Sequence, residues 1–439
     1  MTPLLMTPDK FVKPNKEKPA MLSRRTLLCA GAAATLATPR IARAAEKLVI
    51  ISHAVHRTAA TKGPGGDVTE EWQRANNVEI EWLTFGVEAT NERALKEANL
   101  TQGNADVVFL LDRYTAPQFG PLFDDLNDWM GREAIPDFAE IPQGMLAAHR
   151  FGTRQAAMPF RHATHGLHVN STFLAERGIA APPRTLDETL AAIEKLSFTR
   201  DGTRVYGLVI NMDDPSTPID WVRAYGGDFI TPDYKVVVDQ PGAVQAMTVM
   251  ADLFKRGLMP RNVVNMKTED IITFMQQGRG AMTNQPFNRI FNYGDPKASK
   301  FPGQFAVTPL PTGIDGKPIP AKTSVWAMAI PRNARRKELS WSLIRHLSLP
   351  ESTILEAMNG NGPVRPSAYA DPRVQKMVPY AAAEAEALKT ARLVVPGFAN
   401  NAKAMDMFIE EMGAVLLGTK APQAAMTDLA ARVKPLLPA

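Results

Sequence analysis

Short apolar runs and helical periods alternate along most of the chain. Lys47–Ile51, Val78–Leu83 and Ala105–Leu111 read as strands, the last buried on both faces by its Val-Val-Phe-Leu-Leu content, while Val68–Arg74 carries a helical period. After Met158 a β-type segment runs to Val169 and a helix follows over Ser171–Arg177. Thr185 with Glu188 three residues on forms a capping box, which opens a helix over Leu186–Lys195. Tyr206–Ile210 is a further strand, and helices are expected over Pro218–Tyr225, Ala243–Arg256, Thr268–Gln277, Lys337–Leu347, Glu351–Met358 and Ala402–Leu417. The long polar loops are Thr58–Gly66 and Thr312–Lys322. Such alternation predicts an α/β fold with parallel strands covered by helices.

The first 44 residues stand apart from this pattern. Arg24 and Arg25 are followed by Thr26, Leu27 and Leu28, then by an apolar stretch to Thr38, and Ala42, Arg43 and Ala44 supply small residues for a peptidase. This reads as a twin-arginine export leader over 1–44, so the working protein is expected to begin near Ala45 and to act in the periplasm. Whether Met1 or Met21 starts the leader is left open. Charge belongs largely to this segment: eight Lys and Arg against Asp9 and Glu17 give it +6 of the chain's +5, leaving −1 for the remainder. A nucleic-acid partner, which needs a basic surplus to replace phosphate counterions, is therefore not expected. The single cysteine, Cys29, also lies there, so no thiolate metal site or Cys nucleophile is expected after processing. With 45% hydrophobic residues the remainder has core enough for two lobes.

Six blocks fall in an order that resembles a known family. They are Lys47-Leu48-Val49-Ile50; Ala105-Asp106-Val107-Val108-Phe109; Met158-Pro159-Phe160 leading to Val169-Asn170; Pro183 with Thr185-Leu186-Asp187-Glu188; Gly278-Arg279-Gly280-Ala281-Met282-Thr283; and Val307-Thr308-Pro309-Leu310-Pro311-Thr312-Gly313 with Ala327–Ile330 after it. Together they resemble extracellular solute-binding protein family 1, the substrate-binding proteins of ABC importers, in the carbohydrate branch that includes maltose-binding protein. The resemblance implies a two-lobe, type II periplasmic-binding-protein-like fold with hinge crossovers and a solute cleft between the lobes. It places the N-terminal lobe at 45–160 plus 310–347, the C-terminal lobe at 165–304 plus 352–439, and hinges at 161–164, 305–309 and 348–351.

Cleft candidates follow from chemistry and from that resemblance. Asp112 and Arg113 end a buried strand where a charged pair must enter a loop, and together offer acceptors and a fork of donors to vicinal hydroxyls; an exposed ion pair is the plain alternative. His53 and His56 follow the first strand, in a loop that the resemblance implies is ligand-facing. Flat side chains stack on the apolar face of a sugar ring, which makes Phe287, Trp326 and Trp221 candidates, with Tyr114 behind them. Phe287 stands in Asn284-Gln285-Pro286-Phe287, where maltose-binding protein has Trp, and Asn284 joins the set. Asp214 and Ser216 occupy an acidic, Pro, Tyr stretch of that relative with Ser in place of the ring, implying a different or smaller solute. The first crossing brings Arg161 and His162. Arg161, Arg113 and Arg365 could together make a positive cleft suited to an acidic sugar or phosphorylated polyol.

Other chemistries find little support. His162, His165 and His168 have a metal-like spacing, but on a strand positions three apart point to opposite faces, and the outer two lie about 20 Å apart. No Gly-x-Ser-x-Gly elbow, His-Glu-x-x-His helix or phosphate-binding Gly loop occurs. The reading is thus a monomeric receptor, not an enzyme, with no cofactor and no metal. It captures a sugar or related polyol and hands it to an ABC permease, after export by the twin-arginine translocase. Its alternatives are an anionic solute or a polyamine, and an exported carbohydrate-active enzyme.

Overall fold

The computed structural model describes residues 45–213 and 215–438; the leader expected over 1–44 and the candidate Asp214 lie outside the described residues. Ten strands matter here: β1 Glu46–His53, β2 Val78–Phe85, β3 Val107–Leu111, β4 Met158–His162, β5 His165–Asn170, β6 Phe198–Arg200, β7 Thr203–Leu208, β8 Gly280–Pro286, β9 Phe305–Thr308 and β10 Val325–Ala329. They form two five-stranded sheets, ordered β2-β1-β3-β10-β4 and β9-β5-β8-β7-β6. In the first, β1 pairs in parallel with β2 and β3, while β10 runs antiparallel to β3 and β4. In the second, β5 is antiparallel to both β8 and β9.

Each sheet carries its own core. All five residues of β3 are buried because both faces are covered: Val107, Phe109 and Leu111 pack with Leu48, Ile50 and Trp341, while Val108 and Leu110 turn to Ala94, Phe123 and Ala329. The second lobe's core is gathered by Val169, Phe173, Leu208, Met282 and, from the C-terminal helices, Phe408 and Leu429. A smaller cluster of Phe287, Ala357, Tyr369, Val374 and Tyr380 joins the segment 350–388 to the turn after β8.

Three stretches of chain run side by side between the sheets. The expected single β-type segment 158–169 is broken at Ala163 and Thr164, whose polar groups turn to a neighbour: the Ala163 amide donates to Ser324 O (2.9 Å) and the Thr164 hydroxyl meets that of Thr323 (2.8 Å). Arg392 completes the set, accepting from the Thr323 amide at 2.8 Å and donating to Ala321 O at 2.9 Å. Of residues 305–309, expected as a crossing, Phe305–Thr308 form β9, because Phe305 and Ala306 pair with Asn170 and Val169. Leu310 and Ile319 likewise pack on the second core, and the chain re-enters the first sheet at 321–325. At the third expected crossing, 348–351, a helix starts at Pro350 and its Leu355 packs on the first core; the second core resumes at Val394.

Two local readings also change. Thr58–Thr61, expected in a loop, ends the helix Ala54–Thr61, whose N-terminus is capped by His53 Nδ1 accepting the Val55 amide at 3.2 Å. The helix Val87–Ala98 has no sequence-based counterpart, since its buried side includes Thr90, Asn91, Ala94 and Ala98 and so lacks a strong apolar stripe.

Candidate functional site

The ends of β1, β3, β4 and β10 converge on the crossing. His53 closes β1, and its ring lies 6.1 Å from that of Trp326 on β10. His56, one turn into the following helix, is wholly buried, stacked on Phe109 at 4.4 Å with its edge to Trp326 at 4.6 Å. Arg161 on β4 stands opposite Trp326 in the β4–β10 register and is 9% exposed. Burial, then the charges of Arg161 and Arg289, pushes the His53 imidazole down to about 4. Burial drives His56 well below the usual imidazole range. These rings therefore stay neutral at neutral pH.

Asp112 and Arg113 leave the end of β3 half-buried. Asp112 Oδ1 accepts the Val325 amide at 2.8 Å, and burial raises its carboxyl to about 6 against the pull of that amide, Lys322 and Arg113. Arg113 donates to the Tyr114 hydroxyl at 2.6 Å and lies over that ring, 4.7 Å from its centre.

From the other lobe, the turn Phe287–Arg289 closes over the crossing. The Phe287 amide donates to Thr164 O at 3.1 Å. Its ring is fully buried, 5.8 Å from that of Tyr380. Arg289, two residues on, has a buried Nε without a hydrogen-bond partner among the described residues. Its charge reaches Arg161: burial first and Arg289 second pull the Arg161 guanidinium down to about 10. Glu384, on the helix Ala381–Leu388, is raised to about 8 by burial and bonded to Tyr369.

His162 belongs to a sealed layer beneath. Its Nε2 meets the Tyr369 hydroxyl at 2.7 Å and its Nδ1 the Thr164 hydroxyl at 3.0 Å, and burial holds it down to about 3. His165 pairs with Asp220 at 2.7 Å, and His168 Nε2 meets the carbonyls of Gln285 and Pro286 at 3.1 Å. The three rings thus serve three different partners.

Several expected residues do not join the cluster. Trp221 is buried in the second core, and Asn284 donates to Asp220 Oδ2 (2.7 Å) and Thr217 O (3.1 Å). Ser216 is buried at the start of the helix Ser216–Ala224. Arg365 corrects the expected trio of arginines. Fully buried, it donates to the carbonyls of Pro136 (2.7 Å), Asp137 (2.7 Å) and Ser348 (2.9 Å), fastening backbone rather than facing a solute. The residues that sequence reasoning passes over are Arg289, Tyr380, Glu384 and Asp220. Arg289 was within reach, two positions after Phe287 on the same turn. Asp220 holds the Lys322 amide at 2.7 Å as well as His165 and Asn284, so one carboxylate binds both lobes at the crossing.

A groove of about 480 Å³ lies elsewhere, between Pro117, Met145 and Phe151 on one side and Arg223, Tyr234 and Pro396 on the other. It touches the crossing at Thr323 and Val325, and none of the sequence-derived candidates among the described residues lines it. The convergent polar side chains, not this groove, mark the candidate site.

Comparisons with known proteins agree with this architecture. The family described as bacterial extracellular solute-binding protein matches residues 62–354, across both sheets. A Deinococcus radiodurans protein named as a probable ABC transporter-binding protein is 24% identical over 346 residues, 75% of this chain and 80% of its own length. The maltose-bound MalE3 of T. maritima superimposes with a TM-score of 0.75 at 22% identity, over 90% of this chain and 100% of that one. A solute-binding protein of Agrobacterium radiobacter K84 in complex with ribitol gives 0.70 at 22% identity, over 89% and 98%. The fold is that of two-lobe type II binding proteins.

Proposed function

Because the chain belongs to the bacterial extracellular solute-binding proteins, we propose that it captures a sugar or polyol between its lobes outside the cytoplasm and delivers it to an ABC permease. It is a binding protein rather than an enzyme. The carrying observation is that polar and aromatic side chains of both lobes meet at the crossing: His53, Arg161 and Trp326 from one, Phe287 and Arg289 from the other. Maltose and ribitol, the ligands of the two structural relatives, support a polyhydroxylated solute.

Closure works by differential affinity. The lobes exchange between open and shut arrangements, and a solute that touches both walls favours the shut one by the contacts it makes only there. In that state Asp112, half-buried beside Arg113, accepts hydroxyl protons, and Trp326 offers a ring face. We place the flexing at 161–164 and 321–324, where the chain passes between sheets, and the leader over 1–44 routes the protein to the periplasm through the twin-arginine translocase. Thermal-shift titration of residues 45–439 with maltose, ribitol, mannitol and related sugars is the direct test. A saturable rise with the solute recovered intact supports the receptor; conversion of the solute would overturn it.

A further inference from the structure

We propose that the solute carries an anionic group, a carboxylate or a phosphate, held between Arg161 and Arg289. This rests on the receptor reading and narrows it from sugars and polyols at large to acidic ones.

Arg161 is 91% buried, and its guanidinium, whose nitrogens still reach solvent, makes no side-chain hydrogen bond or ion pair among the described residues. Arg289 reaches the same place from the opposite lobe with its buried Nε unpartnered. Five guanidinium donors on each side chain normally find carboxylates or carbonyls once out of water. Arg365, buried deeper still, satisfies its fork with three carbonyls. Arg223, also buried, pairs with Asp228 at 3.2 Å. Arg161 and Arg289 have no such partner among the described residues, and the charge of Arg289 bears on Arg161.

The groups that favour the Arg161 charge are Tyr380 and Glu384, and neither makes an ion pair with it among the described residues. His53 and His56 are neutral, and Glu384, bonded to Tyr369 and held up to about 8, has no oxygen within ion-pair distance of Arg161. Two forks converging from two lobes match the bidentate recognition of a carboxylate or phosphate, and such a group would bridge the lobes in the shut state. A neutral polyol cannot compensate either charge.

The test begins with inorganic phosphate titrated into the processed chain at constant ionic strength, with chloride as the reference. The melting temperature is expected to rise saturably in the wild type. Arg161→Met and Arg289→Met are each expected to melt no lower than the wild type without phosphate and to lose the rise, while Arg161→Lys, which keeps the charge but not the fork, keeps part of it. No rise, or an equal rise in wild type and both Met variants, overturns the inference. Solute released by heat from protein purified out of the periplasm is then identified by mass spectrometry, which separates a carboxylate from a phosphate. A neutral sugar or polyol bound equally well by the Met variants overturns the inference and leaves the receptor standing. Absence of any bound or binding sugar, acidic or neutral, overturns the receptor reading itself.

Discussion

The Asp112 carboxylate accepts the Val325 amide at 2.8 Å, joining the end of β3 to the start of β10 at the point where the chain has just crossed between lobes. With that amide on Oδ1, the second oxygen of Asp112 is the one expected to meet a solute. Asp112→Ala is expected to lose solute binding tenfold or more and also about 1–2 kcal/mol of unliganded stability, from the orphaned amide. Asp112→Asn keeps an acceptor for Val325 and should restore most of the stability without restoring affinity. Denaturant unfolding with calorimetric titration reads both. Equal affinity in all three proteins would remove Asp112 from the site.

Glu384 gives stability an unusual slope with pH. Its folded-state pKa of about 8 lies above the ordinary carboxyl value, so from about pH 4.5 to 8 the native state holds a proton that the unfolded chain has released. Stability from this group is therefore greatest in acid and falls as pH rises through that window, by on the order of 5 kcal/mol for a fully buried carboxyl. Tyr369, Tyr380, His162 and Arg161 face it, and none of the first three carries charge there at neutral pH. Glu384→Gln should flatten the slope and raise stability at pH 8, measured by urea unfolding at pH 5, 6.5 and 8. A variant that keeps the wild-type slope would assign it to another group.

The strands were legible because burial on both faces writes itself as uninterrupted apolar residues, as in Val107–Leu111. Helix Val87–Ala98 was not, since alanines and hydrogen-bonded polar groups such as Asn91, which donates to Val87 O and accepts the Leu111 amide, fill its inner side. At the site, residues next to strand ends could be named: His53, Asp112, Arg161 and Phe287 all sit there. Arg365 misled because an arginine in a loop looks alike whether its fork meets solvent or backbone carbonyls. Glu384 and Tyr380 sit on a short helix whose position depends on contacts between distant segments. Local pattern carries no record of such contacts.

Gly166 sets the height of the Phe287 turn. A Cβ built there would stand 2.6 Å from Thr308 O and 2.7 Å from Phe287 Cζ, in a strand position paired with Gln285. Gly166→Ala must push the ring and the turn bearing Arg289 away from the crossing, because neither the carbonyl of a paired strand nor a fully buried ring can yield freely. A loss of about 2 kcal/mol in stability is expected, with solute affinity down about tenfold. Phe287→Leu in the same background relieves the clash at the ring and should recover part of the stability. Recovery of nothing would place the strain at Thr308 instead.

Arg365 supplies the contrasting case, a charged residue whose removal should harm the fold and spare recognition. Its guanidinium gathers the carbonyls of Pro136, Asp137 and Ser348, and approaches Glu140 at 3.3 Å, so it pins the loop after 135 to the segment entering the helix Pro350–Met358. Arg365→Met leaves those carbonyls without donors in a place closed to water, at a cost of about 3–5 kcal/mol. Lysine cannot reproduce a planar fork that serves three acceptors, so Arg365→Lys should recover less than half of the loss. Below its lowered melting point, either variant is expected to bind solute within about twofold of the wild type, because the fork meets backbone carbonyls and Glu140 rather than the crossing. Loss of affinity in a variant that remains folded, judged by circular dichroism alongside calorimetry, would return Arg365 to the cleft.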